Sequence, residues 1–461
     1  MSQNGPTILC VNHWHDDNKG DSAITEGTVR LLSHRWPRSR IRIASLQSAA
    51  GASNTSSFRN IQRLFPDVAC EAAFTPTETG TMPFGDRDGR DLGGAVALLN
   101  SVAWLLRLLP FIAGALIGRP APAVTRRLRD VDLVVLLGGS NIYDNPNVHQ
   151  AFSLARLFTV LYPAWAAQQL GIPVVAFGHT LGPFDRRAGA WLARRTLRRT
   201  TSILLREEES LAITRRLDLR PVHVGPDVAF AVEPQRTPAV ASLLERLPSP
   251  PSRSLALVVR QHPHDGRRSD ERVLAELARF ATSMLASDRV EHVLVIVQAF
   301  GPTPIEDDRS ISAELARLLP EGRASLVAED FTAGELAALY GACRLVVTVR
   351  LHAAILAIAG GAPAYAIAYF TAKTAGVMRA AELPQAWTAH DQLTSAGITA
   401  QLDHLLDPLT RDRLAARVAG WRVALRDEVA AWTAERRPVV GVTEAAAAPR
   451  LTARWPRSRR R

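Results

Sequence analysis

The sequence predicts an α/β protein of two doubly wound, Rossmann-like domains with a cleft between them. Three observations carry this. Short apolar, β-branched runs alternate with helical patterns along most of the chain. Glycines stand where strands hand over to helices, as in Gly138-Gly139, Gly178 and Gly360-Gly361. The alternation occurs twice, on either side of a Pro/Ser-rich interval at 233–254 that reads as a linker.

The first half opens with a strand, Thr7 to Val11, then a polar loop, Asn12 to Asp21, and a helix, Ser22 to Leu32. A strand, a Gly-containing loop and a helix N-terminus present backbone N–H groups and the positive end of a dipole to a ligand, which makes Asn18, Gly20 and Asp21 candidates. The spacing is not the dinucleotide fingerprint. His13, His15, Asp16 and Asp17 imitate a metal cluster, but without a third anchored ligand they read as a solvated loop, and no metal is expected.

Ile41 to Leu46 is a second strand, and Ala49 to Gly93 a long loop-heavy excursion. Gly94 to Gly118 is apolar, yet Asn100, Arg107 and Pro110 interrupt it. A charge in mid-span is expensive in lipid, so a helical hairpin or an element lying in a membrane interface is expected, not a span. Val131 to Leu137 is a strand buried on both faces, ending in Gly138-Gly139-Ser140-Asn141, where backbone and hydroxyl can approach a ligand. Helix Val148 to Leu170, strand Val174 to Phe177, the segment Gly178-His179, helix Ala188 to Thr200 and strand Ser202 to Leu205 follow, the last ending at Arg206-Glu207. Val222 to Phe230 closes this half.

The second half begins with strand Leu255 to Val259, followed directly by Arg260. Helix Asp270 to Leu285, strand His292 to Val297, helix Asp307 to Leu319, strand Ser325 to Val327 and helix Ala333 to Cys343 continue the alternation. They lead into strand Leu345 to Val349, Arg350-Leu351-His352, a helix ending at Gly360-Gly361, and a strand Ala364 to Tyr369 with Lys373 just beyond. Arg, His and Lys thus fall at strand ends, where ligands bind in open α/β sheets, and one of them can carry a proton near neutral pH. Gln401 to Glu435 reads as one long amphipathic helical stretch returning across both domains, and 436–461 as a basic tail.

At 461 residues and 47% hydrophobic content the chain can fill more than one core, which excludes disorder along its length. The net charge of +11 is dominated by arginine and spread without interleaved aromatics, so nucleic acid is not expected as a partner. Cys10, Cys70 and Cys343 have neither disulfide nor metal spacing, and Met1 to Pro6 is polar and uncharged. Together these favour a reducing cytoplasm, with peripheral contact at the inner membrane surface also allowed for.

In this order the motifs resemble the polysaccharide pyruvyl transferase family. Asn18-x-Gly20-Asp21 is similar to its N-terminal N-x-G-D, Leu137-Gly138-Gly139-Ser140 to its strand-end double glycine, and Gly178-His179-Thr180-Leu181-Gly182-Pro183-Phe184 to its G-x-x-x-G-P-F. Arg206-Glu207 through Ser210 resembles R-[DE]-x-x-S, and Pro226-Asp227-Val228-Ala229-Phe230 its P-[DA]-x-[AV]-F. Arg350-Leu351-His352 with Gly361-x-Pro363, Tyr369 and Lys373 resembles the C-terminal R-x-H…G-x-P…Y-x-x-K. The insert at 80–119 has no counterpart in that pattern. The resemblance implies a fold similar to the glycosyltransferase B type, with 1–232 on the acceptor side and 255–400 on the donor side.

It also implies transfer of the pyruvyl group of phosphoenolpyruvate, a co-substrate with no further cofactor, onto two hydroxyls of a sugar or glycan-lipid acceptor. In that reading His352 is the general acid, Arg206 and Lys373 hold the phosphate and carboxylate, and Asp21 binds the acceptor or acts as base. Asn18, Gly20, Gly138, Gly139, Ser140, His179, Arg260, Arg350 and Tyr369 would line the substrates, with Arg350 alternatively pairing inside the protein. The competing readings are a glycosyltransferase of the same type using a nucleotide sugar, and a non-catalytic scaffold of envelope biosynthesis.

Overall fold

A computed structural model describes residues 5–47, 57–76, 94–146, 148–262, 266–369 and 371–435. The first domain is a seven-stranded parallel sheet of β1 (Thr7–His13), β2 (Arg40–Ser45), β3 (Ala69–Glu71), β4 (Leu133–Ile142), β5 (Val174–Leu181), β6 (Ser202–Leu205) and β7 (Val222–Val224), in the order β3-β2-β1-β4-β5-β6-β7. The second is a six-stranded parallel sheet of β8 (Ser254–Val258), β9 (His292–Ile296), β10 (Ala324–Val327), β11 (Leu345–Thr348), β12 (Ala364–Ala368) and β13 (Trp387–Ala389), in the order β10-β9-β8-β11-β12-β13. In both sheets the winding direction reverses once, between β1 and β4 and between β8 and β11. The crevice beyond the carboxyl ends of such a pair is where an open sheet can receive a ligand.

The strand sequences explain the layers. Ile8 and Cys10 face one core and Leu9 and Val11 the other. Leu133, Val135 and Leu137 likewise oppose Val134 and Leu136, so each strand is apolar on both faces. The core on the inner face runs on without a break from the first sheet into the second domain.

The sequence expectation differs from the structure in four places. Within the loop-heavy excursion, helix Arg59–Leu64 and edge strand β3 are formed. Short elements of six and three residues leave too little periodicity to read. The apolar stretch is not a hairpin but one helix, Gly94–Leu116, which carries Pro110 inside it. The preceding part of the insert, 80–93, and the basic tail, 436–461, lie outside the described residues. The return segment is not continuous either: Leu402–Leu405 and Pro408–Ala430 are separate helices, the second capped by the Asp407 side chain and started by Pro408.

That second helix does join the two halves. Arg422 donates to the Phe230 and Val232 carbonyls at 3.1 and 2.8 Å, and Arg411 to those of Gly341 and Gly361 at 3.2 and 3.1 Å. Trp421 packs at a tilt against Phe230, and Trp432 meets Phe177 edge-on.

Finally, the His13–Asp17 loop is not solvated. His13 is stacked on Phe58 and hydrogen-bonded to Thr25 (2.9 Å) and the Ser57 carbonyl (2.7 Å). Asp16 accepts from the Asn60 and Ile61 amides, which begin the helix Arg59–Leu64. His13 and Asp16 find their partners at Thr25 and in the segment Ser57 to Ile61, a solution the local pattern does not disclose.

Candidate active site

The carboxyl ends of the central strands of both sheets enclose a cavity of about 300 Å³, lined from both domains. From the first come Trp14, Asn18, Asp21, Gly139, Ser140, Asn141, Tyr143, Arg156 and Arg206; from the second come Arg260, Gln298, Glu306, Arg350, His352, Tyr369 and Lys373 among others. One wall is set by the loop after β1. The Asn18 side chain caps helix Lys19–Arg35 by accepting from the Gly20 amide at 3.1 Å, while its backbone bridges to Ala299 of the second domain. Lys19 is wholly buried there, ion-paired to Asp330 and donating to the Asp16 carbonyl at 2.8 Å. The loop is therefore pinned to the opposite domain by a buried charge with partners on both sides.

A hydrogen-bonded chain crosses the cavity floor. Arg206, at the end of β6, donates through Nη1 to Asp227 (2.8 Å), through Nε to Thr180 (2.8 Å) and through Nη2 to Ser140 (2.8 Å). The same Ser140 hydroxyl accepts from Lys373 Nζ of the second domain at 3.2 Å. Asp227 also caps the short helix Val228–Ala231 through the Ala229 amide, and its Oδ2 lies 3.8 Å from His352 Nε2. The His352 imidazole, in the first turn of helix Leu351–Ala359, packs against Gly20. A Cβ on that residue would overlap Nδ1, so a glycine is needed for the two helix starts to meet. Gly139, at φ 118° beside Asp21, is the second place where the backbone demands glycine.

Burial sets the protonation states. The His352 imidazole is pushed down to about 4 by desolvation, opposed by Asp227 and reinforced by Arg206, Lys373 and Arg350, so it is neutral at neutral pH. Desolvation and the Arg206 charge bring the Lys373 ammonium down to about 8. Asp21 is raised to about 7 by desolvation and by Glu306, against the pull of Arg206, Lys373 and Arg350. Glu306 is itself raised, mainly by burial. A carboxyl, an ammonium and an imidazole that can each exchange a proton or bind an anion thus share one cavity.

Most of the candidates read from the sequence converge here. Asp21, Arg206, His352 and Lys373 face the cavity together, with Asn18, Gly139, Ser140, Arg260, Arg350 and Tyr369. Arg350 is committed first to the protein: its guanidinium grips the fully buried Asp308 with two 2.6 Å bonds and donates to the Glu306 carbonyl. Three candidates do not line the cavity. His179 is wholly buried between strands, with Nε2 at 3.1 Å from the Leu136 carbonyl. The glycine before it has φ 76°, and the pairing of β5 with β6 shifts register between Phe177 and His179. A Cβ on Gly138 would run into the Phe177 and Gly178 carbonyls of the neighbouring strand, so this glycine serves strand packing. Gly20 acts through His352 and does not itself line the wall. Trp14, Tyr143, Arg156, Gln298 and Glu306 were not foreseen. Glu306 lies between strand His292 to Val297 and helix Asp307 to Leu319 with no motif around it, and Arg156 is one of several arginines on helical patterns.

The sequence matches the family described as polysaccharide pyruvyl transferase over residues 18–369. The chain belongs to that family, and it is a transferase. It is 28% identical over 294 residues to the amylovoran biosynthesis protein AmsJ of Erwinia amylovora, covering 61% of this chain and 67% of that one. Among solved structures, the UDP-GlcNAc 2-epimerase of Neisseria meningitidis superposes with a TM-score of 0.55 at 12% identity, covering 92% of this chain and 98% of that one. A putative UDP-N-acetylglucosamine 2-epimerase of Listeria monocytogenes gives 0.52 at 11% identity, covering 90% and 91%. At these identities the likeness concerns the fold alone, which is of the glycosyltransferase B type. Family and relative together assign the protein to the modification of polysaccharides.

Proposed function

We propose that the protein transfers the pyruvyl group of phosphoenolpyruvate to two hydroxyls of one sugar in a cell-surface polysaccharide or its precursor, forming a ketal and releasing phosphate. The observation that carries this reading is the convergence of Arg206, Lys373 and His352 on Ser140 and Asp227 in a cavity built from both domains. Phosphoenolpyruvate bears a phosphate and a carboxylate, and two cationic side chains held on a common hydroxyl suit two anionic groups of one small molecule. Arg206 spends three of its five N–H groups on protein partners, which fixes the guanidinium and leaves two for the donor.

The proton balance follows from the protonation states. A bound anion next to His352 favours the imidazolium, so the acid becomes charged when the donor arrives. It protonates the methylene carbon, and the first sugar hydroxyl adds to the resulting oxocarbenium-like carbon. The second hydroxyl then displaces phosphate. Two hydroxyl protons are released; one restores the imidazolium and the other leaves with the phosphate. Asp21, poised near neutrality, is placed to take a proton from the acceptor. Lys373 and the fixed Arg206 neutralise the departing charge.

The test incubates the protein with phosphoenolpyruvate and a panel of nucleotide-linked and lipid-linked glycans, following phosphate release and product mass. His352→Ala should keep the wild-type circular dichroism spectrum and lose phosphate release by at least about 100-fold, the size of a general-acid contribution. Turnover unchanged by this substitution, or transfer of a sugar from a nucleotide sugar in place of pyruvate, would falsify the assignment.

A further inference from the structure

We propose that the outer face of helix Gly94–Leu116 docks on an anionic lipid bilayer, with its apolar stripe lying in the interfacial layer. Leu99, Leu106, Leu109 and Leu116 are 67, 60, 54 and 78% exposed, and with Val102 they recur at steps of three, four, three and seven residues, so they form one stripe along one side of the helix. On the other side Trp104 and Leu108 are buried against Ala155 of helix Gln150–Gln169. A continuous row of exposed leucines on a protein of this size marks an interaction surface.

Two features choose the occupant. From Gly94 to Arg129 the sequence holds five arginines and no acidic residue, and Arg107 and Arg119 are exposed beside the stripe. A second copy of this chain meeting the stripe about a two-fold axis would bring like charges together, whereas an anionic membrane surface is complementary to them. The helix cannot span, because one side is held by the domain and Arg107 stands at mid-length; it can lie in the plane. Docking there would also orient the active site. Ala155 packs on the docking helix and its neighbour Arg156 lines the cavity, so the cavity mouth is one helix away from the lipid surface. This inference does not depend on which group is transferred.

The experiment is vesicle co-sedimentation of the full chain, using phosphatidylcholine alone and phosphatidylcholine mixed with phosphatidylglycerol. The wild type should sediment with the mixed vesicles. Leu106→Glu with Leu109→Glu should weaken this by more than about tenfold, since two leucines lose their apolar insertion. Arg107→Ala with Arg119→Ala should weaken it by about fivefold for each arginine. All four positions are exposed, so the circular dichroism spectrum and thermal midpoint should match the wild type. The proposal is overturned if the wild type ignores the mixed vesicles, or if the double glutamate variant binds them equally well. A wild-type dimer that the glutamates split into monomers, without vesicle binding, would assign the face to a second copy instead.

Discussion

Asp21→Asn tests the electrostatics of the cavity without reference to any substrate. Asp21 sits in the first turn of helix Lys19–Arg35, and its carboxyl is raised from an ordinary 3.8 to about 7, first by desolvation and then by Glu306. Because the folded value lies above the unfolded one, the group favours folding fully only below about pH 4, and that contribution is lost as the pH rises through about 7. A shift of this size, worked through linkage, makes the folded state about 2–3 kcal/mol less stable at pH 8 than at pH 5 on account of this one side chain. Water in the cavity screens part of that, so about 1–2 kcal/mol is the expected reading.

Asparagine has nearly the same shape and never ionises, so the stability of the variant relative to the wild type should rise between pH 5 and pH 8 by that amount. Urea unfolding curves at several pH values measure it, with equal slopes required for the comparison. A difference between variant and wild type that is the same at pH 5 and pH 8 would show that Asp21 is not held protonated by its surroundings.

Gly20→Ala should fold normally yet push the His352 ring out of place, lowering phosphate release by about tenfold or more with a smaller effect on donor affinity; kcat and KM measured together separate the two. Asp308→Ala removes the only carboxylate gripping Arg350 among the described residues and leaves a buried guanidinium without its counter-ion. The expected cost is about 3–5 kcal/mol in a thermal or urea melt, and an unchanged melt would refute the structural role given to Arg350. Lys373 must be protonated to hold an anion, so turnover should fall above about pH 8; in Lys373→Arg that limb should move to higher pH, since the guanidinium keeps its charge, and an unmoved limb would assign it to another group.

Many of the local readings hold residue by residue. Leu133 to Leu137 and Leu345 to Thr348 are strands buried on both faces, as their unbroken apolar runs require. Arg206, His352 and Lys373 stand at strand-to-helix joints, and such joints in a parallel sheet all open toward the same edge. The helix read from Ser22 starts three residues earlier, at Lys19, where Asn18 caps it through the nearby Gly20 amide. These features depend on backbone periodicity and near neighbours, so the amino-acid order by itself determined them.

Tertiary structure alone decided the partners. Nothing local distinguishes His179, turned into the core beside the Leu136 carbonyl, from His352, which faces the cavity, because the neighbouring strands set where each ring points. Nothing in the order Glu306-Asp307-Asp308 tells the three carboxylates apart, yet Glu306 is raised beside Asp21 and Asp308 is locked to Arg350. The meeting of Arg206 with Lys373 on Ser140 brings together residues separated by 66 and 233 positions from that hydroxyl. Contacts of that reach are fixed by sheet order and by the apposition of two domains, and they satisfy buried charges in combinations that no short stretch of sequence encodes.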